Sequence, residues 1–240
     1  MIDMVDFHAH ILPGMDDGAE NEEMSLEMMA ESYRQGVRLI CATSHFYADE
    51  ENPARFIARR DEAFLRLREA AKAKPGKYPA IVFGAEVLYF PGMSGAEELS
   101  EFRIGASPFL LVEPPMHKWS ETMLDEIELT GKNLGCIPVI AHIDRYIRYL
   151  QDNTLFERVK GRRMLTQVNA SFFINQETAL FAIEKFKDGS IHFIGSDCHN
   201  VGRRAPNIGP ATKRIIASGA AELNDEFHER VLKLICPKGI

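Results

Sequence analysis

The sequence has few cysteines and no pairing pattern among them. Its four cysteines are widely spaced, and no two form a Cys-x-x-Cys pair. This spacing argues against a structural zinc knot and against a disulfide framework. Free thiols in a reducing cytoplasm are therefore expected.

Long apolar runs and an excess of positive charge are also missing. The chain shows neither a run long enough to cross a bilayer nor the basic-then-apolar start of a signal peptide, so we expect no membrane insertion. A net charge of −7 argues against nucleic-acid or anionic-membrane binding, because phosphate backbones attract the opposite sign. A phosphorylated substrate stays open, since bound cations can reverse the field of a carboxylate-rich site.

What the sequence does contain is a regular alternation of short apolar runs and longer amphipathic segments. The alternation predicts seven strands, at 2–7, 37–44, 79–86, 108–113, 137–142, 163–170 and 191–197. It predicts helices at 21–36, 54–74, 120–135, 152–160 and 176–189, with one or two more after residue 197. Strands alternating with helices favour a parallel sheet covered by helices, and seven such units suit a closed or distorted barrel. With 240 residues and no repeat or linker, the chain is expected to form one domain, 1–240.

Histidines and carboxylates stand at the carboxyl ends of the predicted strands, the face on which barrel enzymes build their sites. Five of the eight histidines lie there, namely His8, His10, His45, His142 and His199. The carboxylates at these ends are Glu86, Glu113 and Asp197. The segment "DDG" (16–18) adds two aspartates close to the first strand. It also predicts a turn, with Gly18 at a position that needs positive φ.

Imidazoles and carboxylates together suit zinc, manganese or iron. Counting one aspartate of "DDG", nine groups are too many for a single ion that keeps an open position. Two or three ions sharing a bridging carboxylate fit the set better. Such a cluster clamps phosphoryl oxygens and yields hydroxide near neutral pH.

These residues resemble the polymerase-and-histidinol-phosphatase (PHP) superfamily of metal-dependent phosphoesterases. The matching motifs run along almost the whole chain: "HAH" (8–10), "DDG" (16–18), "TSH" (43–45), "GAE" (84–86), "VEPP" (112–115), "AHIDRY" (141–146) and "GSDCHN" (195–200). The spacing from "DDG" to "YRQGVRLICATSH" (33–45) is similar to the bacterial capsule-type tyrosine-protein phosphatases of the CpsB/YwqE group.

The resemblance implies a distorted seven-stranded (β/α)7 barrel of the PHP type that holds three divalent ions. Carried over residue by residue, the ligands are His8, His10, Glu86 and Asp197 for the first ion, Glu86, Glu113 and His142 for the second, and Asp17, His45 and His199 for the third. Asp17 is chosen because the family's ligand immediately precedes the glycine; Asp16 is the fallback. Manganese is the expected metal, with iron, cobalt or zinc as alternatives.

The resemblance also implies two phosphate-binding arginines. Arg145 matches the first, and "HNVGRRAP" (199–206) offers Arg203 or Arg204 as the second, with Arg204 preferred because it precedes "AP". The implied reaction is hydrolysis of phosphotyrosine on a bacterial tyrosine kinase by a metal-bridging hydroxide, in the service of capsular or exopolysaccharide synthesis. The guanidinium forks would bind the phosphate oxygens.

Three alternatives remain open at this point. The first is a histidinol-phosphate or other small-molecule phosphoesterase of the same superfamily, and the second is a degenerate barrel that only binds phosphotyrosine. The third is a thiolate phosphatase, because Cys198 and Arg204 have Cys-x5-Arg spacing; however, the cysteine lies inside Asp-x-His rather than in a loop at a helix N-terminus. Tyr89 and Phe90 are candidates for stacking on a phenyl ring, whereas His117, His192 and His228 are expected to be surface or packing residues.

Overall fold

The computed structural model describes residues 3–237. The predicted start of the first strand at residue 2 and the domain limits 1 and 240 lie outside the described residues. The strands are β1 (Met4–Ala9), β2 (Val37–Ala42), β3 (His45–Phe46), β4 (Ala80–Phe83), β5 (Glu86–Leu88), β6 (Phe109–Glu113), β7 (Ile137–Ile140), β8 (Leu165–Asn169) and β9 (Phe193–Gly195). The helices are α1 (Glu22–Gln35), α2 (Pro53–Ala73), α3 (Glu121–Leu134), α4 (Ile143–Leu150), α5 (Leu155–Val159), α6 (Ser171–Ile174), α7 (Ala179–Lys187), α8 (Ile208–Ala217) and α9 (Ala221–Ile235). Two 3₁₀ segments, Met93–Gly95 and Glu97–Phe102, precede β6.

All strand pairs are parallel, and the sheet is curled. One piece has the order β1-β2-β4 and the other the order β3-β5-β6-β7-β8-β9. The predicted second and third strands are each interrupted, so that β3 follows β2 and β5 follows β4 after two residues. Backbone bonds from Gly84 N to Ala42 O and from Glu86 N to Ser44 O, both 3.0 Å, join the strands across these breaks. The predicted α/β fold with a helix-covered parallel sheet is confirmed, and the sheet has the form of a curled half-barrel; the closed seven-stranded barrel stays a prediction.

The ends of the first and last strands approach each other. Asp197 N donates to His8 O at 2.8 Å, and His10 N donates to Cys198 O at 3.0 Å. These bonds bring the segment after β9 beside the end of β1. Residues almost 190 positions apart in the sequence therefore share one edge of the sheet.

Aromatic side chains from β1, β6 and β9 pack together in the core. The rings of Phe7 and Phe193 stack with centroids 3.9 Å apart, and Phe109 packs edge-on against both. All six residues of β1 are buried, as expected for a parallel strand covered on both faces. One hydrophobic core cluster extends from Met4 to Ile235. Among residues 3–237, no helix combines the length and apolarity needed to cross a bilayer.

The helix termini follow local sequence signals. Asn21, Asn52 and Ser120 accept backbone N–H groups at the starts of α1, α2 and α3, and Gly36 ends α1 with a left-handed φ of 103°. The sequence did not predict α4, although its segment "AHIDRY" carried a site motif. This helix begins directly after β7 and positions one of the predicted arginines.

Candidate metal centre and active site

The end of β1 and the residue that follows it supply two fully buried imidazoles to the carboxyl edge of the sheet. His8 and His10 lie on the same face because side chains two apart along a strand point the same way. Their Nε2 atoms are 3.0 Å apart, and both face Glu86 Oε2, at 3.2 and 3.3 Å. Asp197 Oδ1 is 3.7 Å from His8 Nε2 and 3.5 Å from His10 Nε2.

Glu86 lies at the centre of the cluster and uses both carboxylate oxygens. Its Oε1 is 2.7 Å from His142 Nε2, while its Oε2 is 3.1 Å from His45 Nδ1. Glu113 Oε1 is 3.4 Å from His142 Nε2, on the same side. Burial alone would raise the pKa of Glu86, but the surrounding imidazoles outweigh it and hold the pKa well below its usual value. Glu86 is therefore an anion that lies between the imidazoles of His142 and His45, as the predicted bridging position requires.

A third group lies further out, at the mouth. Asp17 Oδ1 is 3.1 Å from His199 Nε2 and 3.5 Å from His45 Nε2. The Asp17 side chain is 66% exposed, so this part of the cluster is open to solvent. Burial, helped by the neighbouring His10, lowers the pKa of His199 to about 4, so its ring is neutral near pH 7 and one of its nitrogens can act as a lone-pair donor.

The structure brings all nine predicted ligands together at one edge of the sheet. Three sets of donor atoms each lie within 4.8 Å of one another: His10, Asp17, His45 and His199; His8, His10 and Asp197; and His45, Glu86 and Glu113. The sets overlap the predicted groups but differ from them: His10 also reaches the outer set, and His45 takes the place of His142 beside Glu86 and Glu113. Glu86 is absent from the set of His8, His10 and Asp197, and His142 joins the cluster through its contacts with Glu86 and Glu113.

Buried histidine nitrogens without a hydrogen-bond partner show whether this cluster fits divalent ions. Among the described residues, His45 Nδ1 and His199 Nε2 are buried and accept or donate no hydrogen bond. Each nevertheless faces a carboxylate oxygen 3.1 Å away, Glu86 Oε2 and Asp17 Oδ1 respectively. Ligand atoms about 2.1 Å from one ion at right angles are also roughly 3 Å apart. The donor types and their spacing therefore fit a cluster of divalent metal ions.

The second aspartate of "DDG" supports the cluster from behind. Asp16 Oδ2 lies 2.8 Å from His10 Nδ1 and accepts a bond from His45 N at 2.9 Å. An acceptor at Nδ1 keeps the proton there and leaves the Nε2 lone pair facing the centre, as in carboxylate–histidine–metal arrangements.

Two amides of β8 have a similar supporting position, which the sequence reasoning missed. Gln167 Oε1 is 3.3 Å from His8 Nδ1 and accepts a bond from His142 N at 2.6 Å. Asn169 Nδ2 donates to Asp197 Oδ2 at 3.0 Å. The signal that could have found them is the presence of two amides in a buried strand, because buried polar side chains need partners.

The arginines lie on either side of Asp197. Arg145 donates to its Oδ2 at 2.5 Å, and Arg204 donates to its Oδ1 at 2.7 Å. About a third of each arginine side chain is exposed, at 35% and 34%, so both can be reached from the mouth. Arg203 is exposed, and within residues 3–237 it forms no hydrogen bond or ion pair with the cluster. The geometry favours the predicted choice of Arg204 over Arg203. The role of Arg204 in binding phosphate stays a prediction.

Strained or tightly packed backbone holds several of these residues in place. His142 and Asp197 adopt left-handed φ angles of 30° and 52°, which is uncommon for residues other than glycine and frequent at functional sites. A Cβ on Gly195 would lie 2.5 Å from His8 Cβ, and one on Gly18 would lie 2.4 Å from His10 O. The expectation of positive φ at Gly18 was wrong, because close approach to His10 is what requires glycine there.

The remaining predicted residues lie away from the metal centre or inside the core. Cys198 is fully buried, and burial raises the pKa of its thiol, so it is neither accessible nor ionised as a thiolate nucleophile must be. Tyr89 donates to Glu126 at 2.6 Å instead of facing the mouth. His117 is exposed, His192 is half-buried beside Thr166, and His228 is buried against β1, where its Nδ1 accepts from Val5 N.

Comparisons with known proteins identify the family of this chain. The family model for capsular polysaccharide synthesis, CpsB/CapC, matches residues 4–231. The chain is 33% identical over 251 residues to the tyrosine-protein phosphatase CpsB of Streptococcus pneumoniae and 30% identical over 246 residues to that of Streptococcus agalactiae, covering 97% of this chain and 98% of either relative.

A solved structure shows the same fold. It is described as one of the crystal structures of YwqE from Bacillus subtilis and CpsB from Streptococcus pneumoniae, unique metal-dependent tyrosine phosphatases. Its TM-score with this chain is 0.84 at 24% identity, over 99% of this chain and 96% of the other. Together, the family model and the two streptococcal relatives extend over nearly the whole chain. This protein therefore belongs to the CpsB/CapC family of capsular polysaccharide synthesis proteins.

Proposed function

We propose that this chain is a metal-dependent protein-tyrosine phosphatase that removes phosphate from a bacterial tyrosine kinase and thereby regulates capsular or exopolysaccharide synthesis. The observation that carries the proposal is the meeting of nine histidine and carboxylate ligands with two arginines at one open edge of the sheet. Curated relatives named tyrosine-protein phosphatases support the substrate class. We place the enzyme in the cytoplasm, because that is where a kinase meets ATP.

The cluster would hold three divalent ions, with manganese as the first candidate. His8, His10 and Asp197 would hold one, Glu113 and His142 a second, and Asp17, His45 and His199 the third, with Glu86 shared between the first two. When bound, such ions neutralise phosphoryl oxygens and supply a nucleophilic water at neutral pH. Support comes from the donor chemistry and from the buried imidazole nitrogens that have no hydrogen-bond partner.

The protein's own residues bind and orient the substrate. A phosphate monoester is a dianion, and Arg145 and Arg204 offer it two guanidinium forks on opposite sides of Asp197. Gln167 and Asp16 keep His8 and His10 in fixed orientations, so the site is assembled before substrate arrives. The leaving phenolate has an ordinary pKa of about 10, so it needs only modest protonation by the enzyme. Because Cys198 is buried and un-ionised, the reaction needs no cysteinyl intermediate.

The finer form of the fold belongs to the same proposal. If the interrupted strands are counted once each and the β9–β1 hydrogen bonds are taken as closing contacts, the sheet becomes a distorted seven-stranded (β/α)7 barrel of the PHP type. The single core cluster supports one catalytic domain over the whole chain.

Two alternatives have less support. A histidinol-phosphate phosphatase of the same superfamily would use the same ions on a smaller substrate, and a degenerate barrel would bind phosphotyrosine without hydrolysing it. The completeness of the ligand set disfavours the second. Comparing turnover of a phosphotyrosine peptide and of histidinol phosphate on metal-analysed protein separates these possibilities from the proposal.

Removal of individual ligands tests the proposal. We expect His142→Ala and Glu86→Ala to lose bound metal and at least about a hundred-fold in kcat/KM for a phosphotyrosine peptide, because each removes a ligand from the centre of the cluster. His117→Ala, at an exposed histidine outside the cluster, is the matched control and should behave as the parent protein. Full metal content and full activity in both ligand variants would rule the proposal out.

A further inference from the structure

A cavity of about 400 Å³ adjoins the candidate metal centre and extends beyond the proposed phosphate-binding groups. It is lined by Met116, Asp144, Arg145, Arg148, Tyr149, Asn169 and Ser171. Arg145 and Asn169 are shared with the centre, because both donate to Asp197. The cavity is therefore continuous with the place where the phosphate would bind, and its volume is in the range of pockets that enclose small ligands.

One face of α4 forms a wall of this cavity. Arg145, Arg148 and Tyr149 are three and four residues apart, so they share a helix face. Arg148 lies one turn further from the metal centre than Arg145, about 4.5 Å along the helix axis. When Arg145 binds the phosphate, the rest of the substrate would extend outwards along Arg148 and Tyr149.

Two apolar side chains are exposed at this cavity. Tyr149 is 62% and Met116 is 41% exposed, and each ranks among the large hydrophobic residues that face solvent. A thioether and an aromatic ring on the walls of one cavity suit an aromatic ligand, since sulfur and π faces both make favourable contacts with a phenyl ring. Tyr89, which the sequence offered for this purpose, is held by Glu126 instead.

Arg148 supplies a positive charge at the outer part of the cavity. Among residues 3–237, no hydrogen bond or ion pair of its guanidinium is found, whereas Arg145 is paired with Asp197 and Glu113. The acidic lining residue Asp144 is buried and accepts a bond from Asn169 N at 2.8 Å. An unpaired guanidinium beside a ligand cavity favours an acidic group on the ligand.

We propose that this cavity is the substrate subsite that holds the phosphotyrosyl ring between Met116 and Tyr149 and places an acidic residue next to it in the substrate against Arg148. The inference rests on the proposed function for the position of the phosphate. It assigns the preferred substrate as an acidic phosphotyrosine segment and makes Met116, Arg148 and Tyr149 determinants of specificity.

Charge-swapped ligands test the Arg148 contact. The probes are three peptides that carry a non-hydrolysable phosphotyrosine mimic flanked by aspartate, asparagine or lysine, and their binding to metal-loaded protein is measured by fluorescence anisotropy. The parent protein should bind the aspartate peptide about five-fold more tightly than the lysine peptide, as expected for a rim charge pair. Arg148→Glu should reverse that order, and Arg68→Glu, an exposed arginine on α2, should leave it unchanged.

The aromatic contact is tested by kinetics. Met116→Ala combined with Tyr149→Ala should raise KM for the phosphotyrosine peptides about ten-fold through lost apolar burial, with kcat within about two-fold. The same pair of substitutions should leave hydrolysis of a small alkyl phosphate unchanged, because that substrate has no ring to place in the cavity.

The outcomes separate the two proposals. Hydrolysis of phosphotyrosine peptides with no dependence of binding on the flanking charge, in parent or Arg148→Glu protein, overturns the subsite and leaves the phosphatase proposal standing. Charge-dependent binding without any hydrolysis by the parent protein supports the subsite and overturns the phosphatase proposal.

Discussion

At the scale of single residues, the two adjacent aspartates of "DDG" have different surroundings and so different predicted roles. Asp17 is mostly exposed and faces His199 and His45 at the mouth, whereas Asp16 is buried behind His10. The sequence could place one aspartate in the cluster only through a family resemblance. It could not show the hydrogen bond from His10 to Asp16, because such contacts depend on how the loop folds back on β1.

Asp16→Asn tests the supporting role. Asp16 uses both carboxylate oxygens: Oδ1 accepts from Gly18 N, and Oδ2 faces His10 Nδ1 and His45 N. Asparagine has only one acceptor oxygen, so it cannot keep all of these contacts. His10 should lose its fixed orientation, and we expect metal affinity or kcat/KM to fall about 10- to 100-fold. Metal analysis and phosphotyrosine hydrolysis measure the two quantities. Asp49→Asn, an exposed aspartate, is the control, and an Asp16→Asn protein that matches it in both would contradict the role.

At the scale of elements, the strand-end rule picked out side chains that lie together in the structure, but not the residues that support them. Eight of the nine proposed ligands came from polar residues at the ends of predicted strands, and Asp17 came from the family resemblance. Gln167 and Asn169 were missed, because two amides in a buried strand indicate that partners exist but do not identify those partners. The helix α4 was missed because it starts directly after β7, at His142 in a left-handed conformation, without a side-chain cap.

The junction of β1 and β9 depends on a residue without a side chain. Gly195→Ala would place a Cβ 2.5 Å from His8 Cβ and 2.9 Å from His8 N. We expect the free energy of unfolding to fall by about 1–3 kcal/mol, as for other overpacked positions, and the phosphatase activity to fall because His8 is displaced.

Urea unfolding and activity assays check this expectation against Gly95→Ala. Gly95 has no heavy atom within 4 Å of an added Cβ, so that variant should resemble the parent protein. Equal stability and activity in the two variants would show that Gly195 is not needed for close packing.

At the scale of the whole molecule, the curled sheet explains how several carboxylates can lie together at one site in a chain whose net charge is −7. The parallel order brings every strand's carboxyl end to one edge, where imidazoles and arginines lie among the acids. The alternation of apolar and amphipathic segments predicted the parallel arrangement of the strands. It could not predict the breaks after β2 and β4 or the contact of β9 with β1, because these depend on pairing between distant segments.

The packing of α9 against β1 makes stability depend on pH. His228 is buried and accepts from Val5 N, and burial lowers its pKa to about 4. Between that pKa and the unfolded value near 6.5, the unfolded chain binds more protons than the folded one, so acidification through this window destabilises the fold. From pH 7 to pH 5 the contribution of His228 should fall by about 2 kcal/mol.

His228→Gln removes the titration, and urea unfolding of both proteins at pH 7 and pH 5 isolates it. Groups common to both proteins, such as Asp6 and Asp144, whose pKa values burial raises to about 6, cancel in the comparison. The parent protein should lose more stability than the variant on acidification. The same loss in both would contradict a buried, neutral His228.

The account depends most directly on the metal ions, and one titration tests it. The protein is depleted of metal with a chelator, and Mn²⁺ is then added back while bound ions per chain and hydrolysis of a phosphotyrosine peptide are measured together. The account predicts no hydrolysis without metal and recovery that saturates only when more than one ion is bound per chain. Full hydrolysis by the metal-free protein would contradict it.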